Sequence, residues 1–405
     1  MTLLERNVSA PADAPPMRLT PAVSDLKGVS LAIVEGRKAF LELRAEWDAL
    51  FARAATPQQV FQSHVVLQHW MDHYLDKQHC PLIVTARRDE RLSMVWPLVA
   101  RRRFGIGIVE LMGCPVAQFG DIVAEPGPEL PAMVAAGRAA LREHGVDLFE
   151  MRKVRADSTL ARSEILTRAW KTDEQEAVFA DLLRRVGPDN GPSTAYPARE
   201  RSNHRRRLRR LSERGRVVLG MVAPGPEARD LALAAVAMKR ATLRRHDVIA
   251  PTISDPRFAA FFGELAADAA GASPLRVATI HCAGETVGID LALDCKGVTF
   301  GHVIAIHPDY ERGGVGGLLI HHSFASAYAR GSAKFDLLAP ADPYKRDHAD
   351  GSVIIDDYLL PLTARGRIAS LFSPGFWRPW LKAAVRRLPP PVTRKLANWA
   401  NSDKS

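Results

Sequence analysis

Four glycines crowd the stretch His307-Pro-Asp-Tyr-Glu-Arg-Gly-Gly-Val-Gly-Gly317, which runs straight into a helical pattern from Leu318 to Arg330. Glycines at a helix start leave backbone N–H groups bare and outward-pointing. With the helix dipole they form a seat for an anion such as a pyrophosphate, so Gly313, Gly314, Val315, Gly316 and Gly317 are candidate binding residues. A second concentration of charge lies between Arg201 and Arg216, where Arg205-Arg-Arg207 and Arg209-Arg210 spread over more than one face of a predicted helix. It reads first as a solvated face and second as a patch for an acidic glycan or lipid-phosphate acceptor, with Arg206 as its candidate contact. Nucleic acid ranks third, because no aromatic interleaving or helix-turn-helix pattern accompanies the arginines. His321 and His322 are helical neighbours whose side chains point about 100° apart, which excludes a shared metal ion. Cys80, Cys114, Cys282 and Cys295 stand far apart without metal-ligand spacing. No metal site or disulfide framework is therefore predicted, and a reducing cytoplasm fits.

Positioning these residues takes two domains of ordinary size, the default for 405 residues. Residues 1–25 hold Pro11, Pro15, Pro16 and Pro21 but no apolar run of signal-peptide length, and read as a disordered leader. No stretch reaches the run of about 20 apolar residues that spans a bilayer. The first domain, 26–185, reads as a short strand Val29–Val34, a helix Arg37–Ala55 and a helix starting at Phe61 with Ser63 as N-cap. Strands Pro81–Ala86, Leu92–Ala100 and Gly107–Met112, a further strand edge near Gly120, a helix Leu130–His144 and a strand Val146–Arg152 complete it. From Asp157 to Pro197 the periodicity fades into the loop chemistry of Gly187-Pro-Asp-Asn-Gly-Pro192.

The second domain, 198–360, opens on the arginine-rich helix and the strand Arg216–Val222, followed by two helices, Pro226–His246 and Pro256–Ala270. A meander, Leu275–His281, Thr286–Asp294 and Val298–Ile306, has the short turns of antiparallel hairpins. The glycine turn, its helix and a strand Ala333–Ala339 follow. The second half thus repeats the first in architecture, and the fold class is α+β with mixed, largely antiparallel sheets. The tail, 361–405, mixes aromatics with cations over Phe372 to Leu388. Its first reading is packing back on the second domain, and its second is docking on an anionic membrane face.

A meander whose third strand runs into a pyrophosphate-cradling glycine turn resembles the acyl-CoA-binding core of the GNAT acyltransferases, whose turn reads Gln/Arg-x-x-Gly-x-Gly/Ala. Here Glu311-Arg-Gly-Gly314-Val-Gly316 falls in register, with Glu311 at the first position. The resemblance implies a pyrophosphate held by main-chain N–H groups with Arg312 nearby. The chain is also similar to the CelD-like GNAT proteins of cellulose and exopolysaccharide production. Phe61-Gln-Ser with Trp70, Ser202 with the arginine-rich helix, Gly316-Gly-Leu-Leu319, and Phe335-Asp-Leu-Leu ending in Asp342-Pro-Tyr-Lys345 carry that likeness. It implies tandem GNAT-like halves, as in the Fem peptidyltransferases, with acetyl-CoA or another acyl-CoA on the second half and no metal.

Acyl transfer from a thioester to an amine needs a neutral amine beside the carbonyl, donors for the oxyanion and a proton for the thiolate. By the resemblance, Tyr344 is the thiolate's proton donor; its alternative role is to cap the core. Lys345 either binds an acidic acceptor or pairs with Asp336, and the pairing ranks first. Asp290 on the middle strand and His302 on the third are the candidate bases, and backbone N–H groups near Ile304 to Ile306 are candidates for the thioester oxygen. The acceptor implied is an amino sugar or another envelope or exopolysaccharide precursor. The alternatives are a Fem-like transfer from aminoacyl-tRNA, with tRNA on the arginine helix, and a non-catalytic accessory of a polysaccharide synthase.

Overall fold

The computed structural model describes residues 28–187, 191–193, 198–377, 380 and 384. The predicted leader and the tail beyond 384 lie outside the described residues. Thirteen strands form one sheet that runs through both halves of the chain. The first half supplies β1 (Val29–Glu35), β2 (His79–Arg88), β3 (Arg91–Arg103), β4 (Ile106–Leu111), β5 (Val123–Ala124), β6 (Leu148–Arg155) and β7 (Trp170–Asp181). The second supplies β8 (Val217–Val222), β9 (Leu275–Cys282), β10 (Glu285–Cys295), β11 (Val298–Ile306), β12 (Lys334–Asp336) and β13 (Gly351–Pro361). Their order is β1-β2-β3-β4-β6-β13-β7-β12-β11-β10-β9-β8, with β5 paired to β3.

Each half repeats one plan. Four antiparallel strands end in a strand that meets a parallel partner over three residue pairs only, Ile108–Glu110 with Leu148–Glu150 and Val298–Phe300 with Lys334–Asp336. A parallel pair needs a crossover; the helices Leu130–Glu143 and Val315–Ala329 provide it. The halves then exchange their last strands. β13 pairs with β6 of the first half, and β7 pairs with β12 of the second. β7 and β13 also pair with each other across the centre of the sheet, from Phe179 opposite Gly351 to Trp170 opposite Leu359.

β7 lies inside the stretch where sequence periodicity fades. Its residues Trp-Lys-Thr-Asp-Glu-Gln-Glu are polar and only partly covered, so main-chain pairing on both edges holds it where alternation does not. The predicted helix 37–55 is two helices, Gly36–Glu42 and Arg44–Ala54, joined at Leu43 so that Phe40 and Trp47 both bury completely. Ser63 stands at the start of the helix His64–Tyr74, but its hydroxyl donates to Val60 O at 2.7 Å instead of capping.

One apolar core crosses the boundary between halves. Phe258, Phe261 and Phe262 of the helix Pro256–Ala267 share a cluster with Trp47, Phe61 and Trp70 of the first half. Each fully buried phenylalanine contributes about 1.5–3 kcal/mol, which makes this cluster a principal bond between the halves. The helix Val315–Ala329 covers another part of the sheet, packing Leu319 on Ile280 and Val287, and Phe324 on Phe335.

Candidate active site

β11 is paired on both edges only as far as Phe300. From Gly301 to Ile306 one edge faces β10, and β12 does not reach the other. That leaves main-chain groups near Ile304 and Ile306 open to the wedge between β11 and the chain leaving β12. A bulge sits at its inner end, where Leu291 pairs with Val303 and Ala292 with Gly301, so that His302 has no opposite residue.

The glycine turn stands at the outer end of β11. A 3-10 turn, Pro308–Gly313, leads to Gly314, whose φ of +78° suits glycine, and the helix begins at Val315. The N–H groups of Val315, Gly316 and Gly317 precede the regular bonding of this helix, which begins where Leu318 N donates to Gly314 O at 3.4 Å. Bare backbone also makes room for a cation. A Cβ on Gly317 would meet Arg207 Nη1 at 2.3 Å, and one on Gly314 would meet Arg207 Cγ at 2.9 Å, so the Arg207 side chain lies flat across the helix start. Arg206, the predicted contact for an acidic acceptor, is exposed and donates to Asn203 Oδ1 at 3.0 Å; a helix turns about 100° per residue, and it is the neighbouring Arg207 that reaches the glycines. The Arg312 side chain lies outside the described residues. Glu311 points away from the turn, accepting from Thr242 Oγ1 at 2.8 Å and Arg245 Nη1 at 3.0 Å, which neutralises it against the helix Pro226–Arg245. The seat therefore fits a pyrophosphate: helix-start N–H groups, the Arg207 guanidinium and, with Glu311 turned to Thr242 and Arg245, no opposing carboxylate among the described residues.

Asp290 is buried on β10, and its Oδ1 has no hydrogen-bond partner among the described residues. Burial raises its carboxyl to about 7, although Ser323 on the glycine-capped helix and the more distant Arg330 oppose the shift. Tyr344 lies in the short helix Pro343–Arg346 and is 40% exposed. Burial of the rest of the ring, with the charges of Asp342 and Asp290, pushes its phenol above the ordinary tyrosine range, so it stays protonated at neutral pH. The charge of Asp290 is felt at the Tyr344 phenol, which places the predicted acid in the neighbourhood of the predicted base.

His302 plays a different part. Its Nε2 lies 2.9 Å from Val116 O in the first half, and its ring packs 4.7 Å from Phe262. Burial lowers it to about 4, so the ring is neutral. Val116 belongs to a loop that the first-half motif fixes in place: Gln62 Nε2 donates to Phe119 O at 2.7 Å and Trp70 Nε1 to Cys114 O at 2.8 Å. Phe61-Gln-Ser and Trp70 thus brace β11 at its bulge, which gives the first half a positioning role.

The predicted Lys345–Asp336 pair does not form. Asp336 accepts from Arg155 Nη1 at 2.7 Å and from Leu338 N at 2.8 Å, while Lys345 Nζ donates to Leu338 O at 3.1 Å. The better partner is a guanidinium from the other half, reachable only because β6 and β12 are brought within two strands of each other. Burial lowers Lys345 to about 8, partly offset by Asp342. Lys239, on the helix Pro226–Arg245, is also lowered by burial and also feels Asp342. This second lysine escaped the sequence reading; the signal was its place three and four residues after Val236 and Ala235, on the helix's buried stripe. Among the described residues no group of three or more His, Cys, Asp or Glu is arranged to hold a metal ion.

Comparison with known proteins agrees with this geometry. Residues 198–346 match the family model described as an acetyltransferase (GNAT) domain. No curated protein matches the chain significantly. Among solved structures, FemX is similar at TM-score 0.55 and 10% identity, over 78% of this chain and 96% of that one. The C-terminal domain of a putative lysylphosphatidylglycerol synthetase from Agrobacterium fabrum is similar at TM-score 0.50 and 12% identity, over 82% and 95%. A tandem GNAT protein from the clavulanic acid biosynthesis pathway has a TM-score of 0.46 at 13% identity, over 82% and 99%. Residues 198–346 thus match a GNAT-type acetyltransferase domain, and the likeness to FemX and to the synthetase domain is one of fold.

Proposed function

We propose that the protein is an acyl-CoA-dependent N-acyltransferase acting in a ternary complex on an amino sugar or another envelope or exopolysaccharide precursor, as a CelD-like protein would. The observation that carries this reading is the continuity of the glycine seat, with Arg207 across it, into the open edge of β11 beside Asp290 and Tyr344. The seat and Arg207 would hold the pyrophosphate, and the bound acyl-CoA supplies the thioester carbon. The free β11 edge near Ile304 to Ile306 offers N–H groups to the oxygen that becomes negative. Asp290, titrating near 7, takes one proton from the amine directly or through water as the carbon–nitrogen bond forms. Tyr344 returns one proton to the sulfur as the carbon–sulfur bond breaks, which balances the transfer. Lys345, next to Tyr344, and Lys239, which shares the charge of Asp342 with it, would favour an acceptor that carries negative charge near its amine.

Thermal shift with acetyl-CoA, longer acyl-CoAs and free CoA tests the reading. A ligand at a hundred times its Kd raises stability by about 2.7 kcal/mol; no shift with any of them sinks it. The FemX-like architecture keeps transfer from aminoacyl-tRNA as the second reading, and in that case protection comes from aminoacyl-tRNA and not from CoA.

A further inference from the structure

The end of the sheet at the β3–β4 hairpin carries a group of exposed side chains that the proposed chemistry does not employ. Phe104 stands at the two-residue tip of the β3–β4 hairpin, 91% exposed and at φ +50°, followed by Gly105 at +76°. Such tips favour Asn-Gly, and a bulky residue in the left-handed region is a costly choice. The C-terminal segment lies across the same end of the sheet: Arg365 Nη2 donates to Gly105 O at 2.7 Å. There Phe372 is 79%, Trp377 51% and Trp380 69% exposed, whereas Phe376 turns inward against Leu359 and Trp170. Among the described residues the tail packs on both halves, on Leu359 of β13 and on Trp170 and Glu150 of the first half, with three aromatics left outside. Between hairpin and tail lies a cavity of about 490 Å³, lined by Ile106, Ile108, Leu148, Phe104, Phe372 and Arg365, with the paired Arg101 and Glu150 also on its wall.

Charge decides what such a face can meet. Arg103 and Arg365 are exposed at its rim, and among the described residues neither has a carboxylate within ion-pair distance; Arg102 and Arg367, on flanking surfaces, are likewise exposed and without one. Residues 385–405 add cations rather than counter-ions, with Arg386, Arg387, Arg394, Lys395 and Lys404 against Asp403. Protruding aromatics ringed by arginines suit a boundary that is anionic at its surface and apolar a few ångströms below. We propose that this face docks the enzyme on an anionic lipid bilayer, with Phe104 and Phe372 inserting at headgroup depth and the cavity receiving an acyl chain.

Flotation of the full-length protein with phosphatidylcholine vesicles, with and without one-third phosphatidylglycerol, tests this independently of any acyl transfer. Binding is expected on the anionic vesicles only and should weaken as salt rises. Neutralising Arg103 and Arg365 together to Gln should reduce partitioning about twenty-five-fold, at about fivefold per cation. Phe104→Asn is the decisive variant, because it gives the hairpin its preferred residue and so keeps or raises Tm while cutting vesicle binding at least about tenfold. Equal binding to neutral vesicles, or unchanged binding by Phe104→Asn, would overturn the proposal. So would a Phe104-dependent dimer in sedimentation velocity without lipid, which would assign the face to a second copy of the chain.

Discussion

Arg155 and Asp336 meet at 2.7 Å with side-chain exposures of 8% and 5%, joining the last regular strand before the β7 exchange to the strand that borders the active-site wedge. Burial opposes the Arg155 charge, but the hydrogen bond to Asp157 and the charge of Asp336 outweigh it and hold the guanidinium above its ordinary value. Its plane also lies 4.5 Å over the Phe119 ring. Removing one partner of a buried pair leaves an uncompensated charge, at a cost on the order of 3–5 kcal/mol. Urea unfolding of Arg155→Met should show a loss of that size. The double variant with Asp336→Leu should recover part of it.

Arg207 and Arg206 are adjacent in sequence but differ in what they reach. Calorimetric titration with CoA should find Arg207→Gln weaker by about tenfold or more, as loss of a charge-assisted hydrogen bond to phosphate requires. Arg206→Gln, whose guanidinium serves Asn203, should bind as the parent does. The two variants carry the same net charge, so the comparison separates position from general electrostatics.

Asp290 should govern the pH profile. Its carboxyl titrates at about 7 in the fold against roughly 3.9 in an unfolded chain, so the shift is upward. A raised acid stabilises the fold while protonated; that contribution is complete below about pH 4 and is lost as pH rises through 7, a span on the order of 4 kcal/mol. Activity runs the other way, because the base works as the carboxylate. We expect kcat/KM to fall below pH 7, and Asp290→Asn to lose that limb with most of the activity. Its thermal stability should exceed the parent's increasingly from pH 4 to pH 8.

Tyr344→Phe removes a hydroxyl and little else, since the ring edge is solvent-exposed. Proton delivery to a leaving group typically contributes 10²–10⁴-fold, so kcat should fall about a hundredfold while the Kd for CoA stays as it was. Unchanged turnover would remove Tyr344 from the mechanism.

Local signals made the second half readable. β8 to β11 fall within a residue of their predicted bounds, because alternation, two-residue turns and glycine placement are all properties of neighbouring residues; the helix after the glycine turn starts three residues earlier than predicted. Arg207 was visible only as one of five arginines, since which of them meets Gly317 depends on how the helix is rotated against another element. The Arg155–Asp336 pair and the β7–β13 ladder join residues far apart in sequence, and no periodicity records that. The same holds for Phe61-Gln-Ser: it reads as a family mark, and its physical role emerges only when the loop it anchors is seen holding His302.

The strand exchange also sets a timetable for synthesis. β6 is complete in sequence by Arg155, yet its neighbour β13 ends at Pro361, so its ladder stays half open while the ribosome makes the whole second half. During that interval β6 presents an unpaired edge, the kind of surface on which nascent chains misassociate. A ribosome-stalled chain ending before Gly351 should therefore resist protease poorly even in its first half. Protection should come to both halves at once, after β13 has emerged.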